Sequence, residues 1–425
     1  MKQLYTLILT LALPLLILKL IWRGFRAPAY WRRWPERFGA SPSLKSDKPL
    51  IWIHAVSVGE VEACRPLVSA LKQEYPNHKI LITTMTPTGS ARVKLLFADS
   101  VAHCYLPYDL PFAIKRFLNQ VKPAFGILME TEIWPNVISL CKQRNISLVL
   151  ANARMSVRSA TSYSRVPKFI KSILNNFDLI AAQTTEDKQR FLQLGATSRK
   201  VHIIGNLKYE VNLAVSIKEK ASAMRDMWDS NRPVLVAAST HEGEEEMVLN
   251  AARQIRSQCP NLLLIIVPRH PERFDRVAAL AQKSGCKTLR RSEQRPCASD
   301  VQILIVDTMG DLPLFYAACD VAFVGGSLVP HGGHNLLEPA ALGRAIVTGP
   351  HFFNFNAITK QFLSANAALQ VNNTEELADT VIRLLTTPQQ RAQMGETSLR
   401  LIANSQGAST RLVNLIKYHV NHHEK

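Results

Sequence analysis

The chain has 425 residues, which is long enough for two domains. Of these residues 47% are hydrophobic and 20% are charged, a composition that excludes an intrinsically disordered protein. The formal net charge of +18 predicts anionic partners, such as a phospholipid surface, a phosphorylated substrate or nucleic acid. The 7 cysteines are scattered without a CxxC pair, which argues against a structural zinc site and favours reduced, cytosol-facing thiols.

The first segment, residues 1–22, is predicted to be a membrane anchor. Residues 4–22, "LYTLILTLALPLLILKLIW", are apolar apart from threonines and Lys19 and approach the ~20 residues that span a bilayer as a helix. Pro14 is tolerated better in a membrane helix than in a soluble one. A cleaved signal peptide is the alternative, but only Lys2 precedes the run and no A-x-A-like cleavage site follows it.

Residues 23–48 are predicted to lie at the membrane surface. This segment starts "RGFRAPAYWRRWPERFG", in which arginines alternate with tryptophan and tyrosine. Arginines mark the cytoplasmic flank of a span, and tryptophans lie well at the level of the lipid headgroups. We therefore expect an uncleaved, single-pass anchor with the rest of the chain in the cytoplasm. An interfacial helix that does not span the bilayer is the alternative.

Beyond residue 48 the chain alternates short β-rich runs with helix-compatible stretches. Continuous apolar runs such as "PLIWIHAV" and "LLLIIVPRH" are typical of strands buried on both faces of a parallel sheet. A polar stretch, residues 211–230, interrupts the alternation and is predicted to be a linker. The prediction is two α/β domains, residues 49–210 and 231–425, with the option that the last helix packs back onto the first domain.

In open parallel sheets, ligands bind beyond the carboxyl ends of the strands. In the C-terminal half, residues 325–343, "GGSLVPHGGHNLLEPAALG", place paired glycines, His331 and His334 before a helix predicted to begin near Asn335. Glycines allow close backbone approach, and helix N-terminal N–H groups attract anions. An ordinary capped helix is the alternative. Capping a helix does not require two histidines, so ligand binding is favoured.

Two further turns of the C-terminal half are candidates for the same site. The run "IIVPRHPERF" presents Arg269, His270 and Arg273 after a buried strand, where arginine can bind a phosphate through two N–H groups. A solvated basic loop is the alternative. Gly310 and Asp311 form a turn before a helix, for which a plain N-cap and a ligand contact are equally compatible.

In the N-terminal half, residues 51–66 read "IWIHAVSVGEVEACRP" and place Glu60 near a predicted helix start. The acid could merely interact with the helix dipole, a role that Glu62 could also fill. The small residues of "SVG" leave space beside the carboxylate, which favours a chemical role. A carboxylate near a helix N-terminus is also expected to stay ionised at neutral pH. Nearby "TTMTPTGS" and "METEIWPN" end their strands in groups suited to a sugar.

Several motifs are missing from the sequence. No GxGxxG follows the first strand and no GxxxxGK[ST] occurs, which argues against dehydrogenases and P-loop enzymes. No HExxH or Asp-x-Asp pair occurs, so neither a metal nor a cofactor is expected. The basic residues are spread along the chain without an aromatic RNA-binding signature, so no nucleic acid partner is expected.

Together the motifs "HAVSVGE", "MTPTGS", "METEIWPN", "NARMS", "GNLKYE", "VPRHPERF" and "GGSLVPHGGHNLLEPA", behind an N-terminal anchor, closely resemble the 3-deoxy-D-manno-octulosonic acid (Kdo) transferases. This family of membrane-bound glycosyltransferases assembles the lipopolysaccharide inner core of Gram-negative bacteria. The resemblance covers essentially the whole chain. It implies a GT-B fold, in which two Rossmann-like domains, the first binding the acceptor and the second the donor, face each other across a cleft.

The resemblance also implies the substrates and the site. The donor would be CMP-Kdo, the acceptor lipid IVA in the cell inner membrane, and the transfer inverting and independent of metal. By motif, Glu60 resembles the general base. The residues that resemble the CMP site are Pro268, Arg269, Met309, Gly310, Asp311, Asn335, Leu336, Leu337 and Glu338.

Two alternatives remain at this point. Another GT-B enzyme with a different nucleotide sugar would share the fold, but is expected to lack the pair of motifs "HAVSVGE" and "LVPHGGHN". A non-catalytic lipid-A-binding membrane protein would share the anchor and the charge, but has no need of a carboxylate in the cleft.

Overall fold

The computed structural model describes residues 1–41, 48–211, 216–404 and 406–421. The chain divides into two compact units, of which unit 1 is Met1–Glu210 with Ser405–Lys425 and unit 2 is Val211–Asn404. The predicted surface segment and the predicted linker fall partly outside the described residues, at 42–47 and 212–215. The described part of that linker contains a helix, Ile217–Trp228, which belongs to unit 2.

Unit 1 is built on a parallel sheet with the spatial order β3-β2-β1-β4-β5-β6-β7. Its strands are β1 (Leu50–His54), β2 (Lys79–Thr84), β3 (Ala102–Tyr105), β4 (Phe125–Met129), β5 (Ser147–Ala153), β6 (Leu179–Ala182) and β7 (Val201–Ile203). Each strand lies in an apolar run, and the predicted parallel sheet is confirmed. The chain reverses its direction of growth between β1 and β4, and ligands bind beside such switch points.

Unit 1 also contains α-helices. They are α1 (Lys2–Leu11), α2 (Leu13–Arg26), α3 (Trp34–Arg37), α4 (Val58–Glu74), α5 (Pro87–Phe97), α6 (Pro111–Val121), α7 (Pro135–Gln143), α8 (Val157–Tyr163), α9 (Pro167–Leu174), α10 (Thr185–Gln193) and, near the end of the chain, α19 (Ala408–Asn421). Successive side chains of β1 point to opposite faces, so Ile51 and Ile53 join one core and Trp52 joins the other. Full burial of an isoleucine contributes about 1.5–3 kcal/mol.

The last helix, α19, packs on the core face shared by α4 and β1. Leu412 and Ile416 are fully buried there. The Arg411 guanidinium anchors the helix by donating to the backbone oxygen of Ile204 at 2.9 and 2.6 Å. These contacts account for the membership of α19 in unit 1 although the chain reaches it only after completing unit 2.

Unit 2 is built on a second parallel sheet, with the order β10-β11-β9-β8-β12-β13-β14. Its strands are β8 (Val234–Thr240), β9 (Leu263–Pro268), β10 (Thr288–Arg290), β11 (Ile303–Ile305), β12 (Val321–Val324), β13 (Ala345–Thr348) and β14 (Leu369–Gln370). The two edge strands, β10 and β14, were not predicted. The switch point of this sheet lies between β8 and β12, directly beneath the glycine-rich run that follows β12.

The helices of unit 2 also flank both sheet faces, and a separate hydrophobic cluster fills the space on each face. They are α11 (Ile217–Trp228), α12 (Glu244–Arg256), α13 (Phe274–Lys283), α14 (Leu312–Ala318), α15 (Leu337–Ala341), α16 (Asn356–Ser364), α17 (Thr374–Thr386) and α18 (Pro388–Ala403).

The N-terminal segment differs from the predicted single helix. It forms α1 and α2, which meet at Ala12 with a bend of 48°. Pro14 explains the break, because in a continuous helix its ring would clash with the carbonyl of Thr10, and it has no N–H to donate. Among the described residues no single helix is long and apolar enough to span a membrane, whereas the bent pair together meets the criteria of length and composition. In unit 1, the Thr6 hydroxyl of α1 donates to Oδ1 of Asn136 at 3.0 Å.

Candidate functional site

Three carboxyl side chains follow β1 and β4 at the switch point of unit 1. Glu60 is in the first turn of α4 and is only 9% exposed. Its Oε2 accepts the backbone N–H of Val56 at 2.8 Å, and its Oε1 accepts the Ser57 hydroxyl at 3.1 Å. Glu60 therefore does stabilise the turn that leads into α4, as the alternative interpretation of this residue required.

The protonation state of Glu60 departs from expectation. Burial, and then the neighbouring Glu132 and Glu130, raise its pKa to about 8, although the N–H of Val56 acts in the opposite direction. The expectation that Glu60 stays ionised at neutral pH is wrong, because desolvation and two like charges outweigh the helix terminus. At pH 7 the protonated form of the Glu60 carboxyl therefore predominates.

Glu132, which is half-buried, and His54, which is fully buried, lie beside Glu60. The pKa of Glu132 is raised to about 7, chiefly by burial, and its Oε2 accepts the Trp134 indole N–H at 2.6 Å. Nδ1 of His54 lies 3.1 Å from the Thr83 carbonyl, so this nitrogen carries the proton. Its Nε2 lies 4.0 Å from Oε2 of Glu132. Burial lowers the pKa of His54 to about 3, so the ring is neutral.

The Lys208 side chain places a positive charge at the same edge of the sheet. The Lys208 ammonium lies 2.5 Å from Oε1 of Glu130. Glu130 has a left-handed backbone, with φ of 54°, a conformation that is costly for a non-glycine residue and is found often at functional sites. Both residues lie in quoted motifs, but no role was predicted for either. The motif pattern alone does not reveal that residues 78 positions apart form an ion pair.

In unit 2, Glu244 organises the glycine-rich run after β12. Its carboxylate is fully buried at the start of α12. It accepts backbone N–H groups of Gly326, Ser327 and Leu328 at 2.6, 3.0 and 3.0 Å, and that of His241 at 3.2 Å. One side chain thus holds together the segments that follow β8 and β12.

Glu244→Ala is expected to lower the free energy of unfolding by about 3–5 kcal/mol, because several buried N–H groups lose their acceptor together. Urea unfolding monitored by circular dichroism measures this. Glu242→Ala is the matched control, since the Glu242 side chain is 63% exposed and pairs with Arg276 on the surface. Equal stabilities of the two variants would show that Glu244 does not hold the loop.

Four histidines gather at this switch point; we call them the histidine cluster. The ring of His241 stacks on that of His331 with centroids 4.2 Å apart and lies parallel to that of His334, with Nε2 atoms 2.9 Å apart. His270 meets His241 edge-on at 5.4 Å. Burial is the main cause that lowers the pKa of His241 to about 4 and that of His334 to about 3. The rings of His241 and His334 are therefore neutral near pH 7.

The two arginines predicted to bind phosphate have different environments. The Arg273 guanidinium is committed to Glu245 through contacts of 2.6 and 2.9 Å, so it is not available as predicted. Arg269 follows β9, is half-buried, and has no hydrogen-bond or ion-pair partner for its guanidinium among the residues that the structure describes. The preceding Pro268 is the buried last residue of β9.

The turn after β11 contains three more residues of the predicted CMP site. Met309 is 70% exposed. Gly310 has φ of +92°, and a Cβ atom added to it would have no neighbour within 4 Å, so this turn offers open space and needs glycine for its backbone. Asp311 accepts the Thr308 hydroxyl at 2.7 Å. Because β11 and β9 are neighbours, this turn and Arg269 lie at the same edge of the sheet.

The remaining predicted residues surround α15. This helix begins at Leu337, two residues after Asn335, and has only 5 residues. Oδ1 of Asn335 accepts the backbone N–H of Leu337 at 3.1 Å, as an ordinary capping residue would. Leu336 and Leu337 are each 1% exposed, so only their backbone groups could contact a ligand, and Glu338 is half-buried.

Within the described ranges, no group of three or more histidine, cysteine or acidic side chains has the geometry to hold a metal ion. This includes the histidine cluster.

Two family profiles match the chain, one in each half. Residues 32–211 match the family described as 3-deoxy-D-manno-octulosonic-acid transferase (kdotransferase). Residues 229–400 match the glycosyl transferases group 1.

Similar proteins extend over the full length. The 3-deoxy-D-manno-octulosonic acid transferase of Haemophilus influenzae is 42% identical and covers 97% of both chains. That of Bordetella pertussis is 35% identical over 98% of this chain and 99% of its own. Among solved structures, UDP-GlcNAc 2-epimerase from Neisseria meningitidis is 14% identical with a TM-score of 0.53, and covers 87% of this chain and 100% of that one. At this identity the likeness shows the fold alone, a GT-B-like pair of α/β units.

Proposed function

The chain belongs to the 3-deoxy-D-manno-octulosonic acid (Kdo) transferases of lipopolysaccharide biosynthesis, which are glycosyltransferases, and from this premise we propose that it transfers Kdo from CMP-Kdo to lipid IVA. The transfer inverts the anomeric carbon, needs no metal, and uses Glu60 as general base. A hydroxyl oxygen of the acceptor attacks the anomeric carbon, its proton passes to Glu60, and CMP leaves with the bonding electron pair.

The observation that carries this proposal is the carboxyl cluster at the switch point of unit 1. A general base works best when its pKa lies near the operating pH. With its pKa raised to about 8, Glu60 is a stronger base than an ordinary glutamate once it is ionised. Glu132 and Glu130 supply part of that shift. The raised pKa therefore supports the chemical role, although it overturns the expectation of a permanently ionised side chain.

The donor assignment is supported by unit 2. Arg269 offers a guanidinium that has no partner among the described residues, and the open turn at Gly310 lies beyond the neighbouring strand. A phosphate accepts charge-assisted hydrogen bonds from arginine. The structural likeness to an epimerase bound to UDP-GlcNAc concerns the fold and does not identify the nucleotide sugar. We assign CMP-Kdo because the relatives of this chain are named as Kdo transferases.

Acceptor-dependent release of CMP tests the proposed reaction. The intact chain is mixed with CMP-Kdo and EDTA, with lipid IVA or with a free glucosamine that has no acyl chains. We expect rapid CMP release only with lipid IVA. Release at the same slow rate with either acceptor would be hydrolysis and would refute lipid IVA as the acceptor, and strict dependence on an added divalent ion would refute the metal-independent reaction.

We also propose that the bent pair α1–α2 and the basic segment after it hold the protein on the inner membrane, with both units in the cytoplasm. The chain without residues 1–22 is expected to bind anionic vesicles more weakly and to be released by salt. The deletion removes only Lys2 and Lys19 of its basic residues, so the net charge stays strongly positive and attractive. Cosedimentation with the vesicles measures this. A full-length chain that stays in the supernatant at physiological salt would contradict membrane attachment.

A further inference from the structure

The histidine cluster is the feature of unit 2 that CMP binding leaves unexplained. Three separate loops converge to form it, from the carboxyl ends of β8, β9 and β12. A Cβ atom on Gly326 would lie 3.0 Å from the His334 ring and 3.2 Å from that of His241, so only glycine allows the rings this close to the backbone. The rings are therefore held in fixed positions by three loops and by a glycine, which an ordinary solvent-exposed loop would not require.

The acidic residues around the cluster are already engaged. Glu244 accepts four backbone N–H groups, and Glu245 binds Arg273. Glu272 is 75% exposed and lies 3.9 Å from Nδ1 of His270, where solvent screens it. Among the described residues, no free buried carboxylate therefore complements the histidines and Arg269.

We propose that the histidine cluster binds the carboxylate of the donor sugar while Arg269 binds the phosphate of the same donor; this rests on the proposed function. In a 2-ulosonic acid the carboxylate is attached to the anomeric carbon, and in CMP-Kdo the phosphate oxygen is attached to that same carbon. The two anionic groups are thus one carbon apart. A site that binds the phosphate must place donors for the carboxylate a few ångströms away.

The position of the cluster meets this requirement. The backbone N–H of Arg269 donates to the carbonyl of Thr240 at 3.1 Å, next to His241, and Arg269 directly precedes His270, whose ring meets that of His241, so Arg269 is placed beside the cluster. The 2.9 Å contact between Nε2 of His241 and Nε2 of His334 holds one proton between two nitrogens. A carboxylate that enters here accepts ring N–H groups, and its negative charge favours uptake of a further proton from solvent by the cluster.

Calorimetric titration of the intact chain without acceptor tests the inference with two ligands, CMP and CMP-Kdo. His334→Phe keeps a flat ring over Gly326 and removes both nitrogens, and His331→Ala removes an exposed member without disturbing the core. We expect each variant to weaken CMP-Kdo on the order of tenfold or more and CMP by less than about twofold. His202→Phe, at a half-buried position of unit 1, is the control and is expected to leave both affinities unchanged.

Repeating the titration in two buffers of different ionisation enthalpy gives the number of protons taken up. CMP-Kdo is expected to take up more protons than CMP, and His334→Phe to abolish the difference. Equal weakening of CMP and CMP-Kdo, or unchanged affinity for both, would overturn the carboxylate site. If the parent protein bound neither ligand, the proposed donor itself would be wrong.

Discussion

Glu60→Gln is expected to lower the kcat of Kdo transfer by about 10²–10⁴-fold while CMP-Kdo still binds, because the acceptor hydroxyl loses its proposed general base. The substitution is nearly isosteric. The glutamine oxygen can still accept the N–H of Val56, and the Ser57 hydroxyl can rotate to accept from the new amide. The turn into α4 should therefore survive, which separates the chemical role of Glu60 from its structural one.

Stability and pH give two further readouts for Glu60. With its pKa raised to about 8, the folded state keeps a proton that the unfolded chain loses near pH 4.5, so ionisation of Glu60 destabilises the fold as the pH rises between these values. We expect Glu60→Gln to be at least as stable as the parent at pH 7. The rate of the parent should rise with pH towards about 8 as Glu60 ionises, and the residual rate of the variant should not follow this curve.

Glu62→Gln is the matched control for Glu60→Gln. Glu62 is 39% exposed and pairs with Arg92 on the surface, so its loss is expected to leave kcat within about twofold of the parent. A folded Glu60→Gln protein with the parent rate would mean that Glu60 only stabilises the helix start. Glu132, which shares the buried cluster, would then be the next candidate for the base.

Arg269→Ala is expected to weaken CMP-Kdo about 10–100-fold, with a smaller change in kcat at saturation. A hydrogen bond to a charged group contributes about 1.5–3 kcal/mol, and tenfold in affinity corresponds to about 1.4 kcal/mol. Since the guanidinium has no partner among the described residues, its removal breaks no ion pair of the fold. The melting temperature should therefore stay close to that of the parent.

Arg276→Ala is the control for the loss of one positive charge in the same unit. Its side chain is 67% exposed and pairs with Glu242 on the surface, so donor affinity should not change. If both arginine variants weakened CMP-Kdo equally, a general electrostatic effect would explain the result. Unchanged affinity in Arg269→Ala would remove Arg269 from the donor site.

The central strands of both sheets could be predicted because continuous apolar runs follow directly from burial on two faces. The edge strands β10 and β14 could not, since Thr288–Arg290 and Leu369–Gln370 are too short to show a pattern. The bend at Ala12 could have been predicted from Pro14, whose missing N–H interrupts a helix. The cleft between the two domains remains a prediction from the family.

Within the candidate site, residues that follow a strand directly, such as Glu60 and Arg269, were found from the sequence. The long-range contacts that set the pKa of Glu60 and the surroundings of both residues could not be found from the sequence. The pKa of Glu60 depends on Glu132, more than 70 positions away, and the contact between His241 and His334 spans 93 positions. Arg273 was expected to face a phosphate, but only the fold shows that Glu245 already binds it.

The central claim, transfer of Kdo from CMP-Kdo to lipid IVA, is tested most directly by mass spectrometry of the lipid product. The full-length protein is incubated with both substrates in detergent and EDTA, alongside Glu60→Gln and Glu62→Gln. We predict that lipid IVA gains the mass of at least one Kdo residue with the parent and with Glu62→Gln, and remains unmodified with Glu60→Gln. Lipid IVA that stays unmodified with the parent protein, while CMP-Kdo is present and intact, would contradict the proposed function.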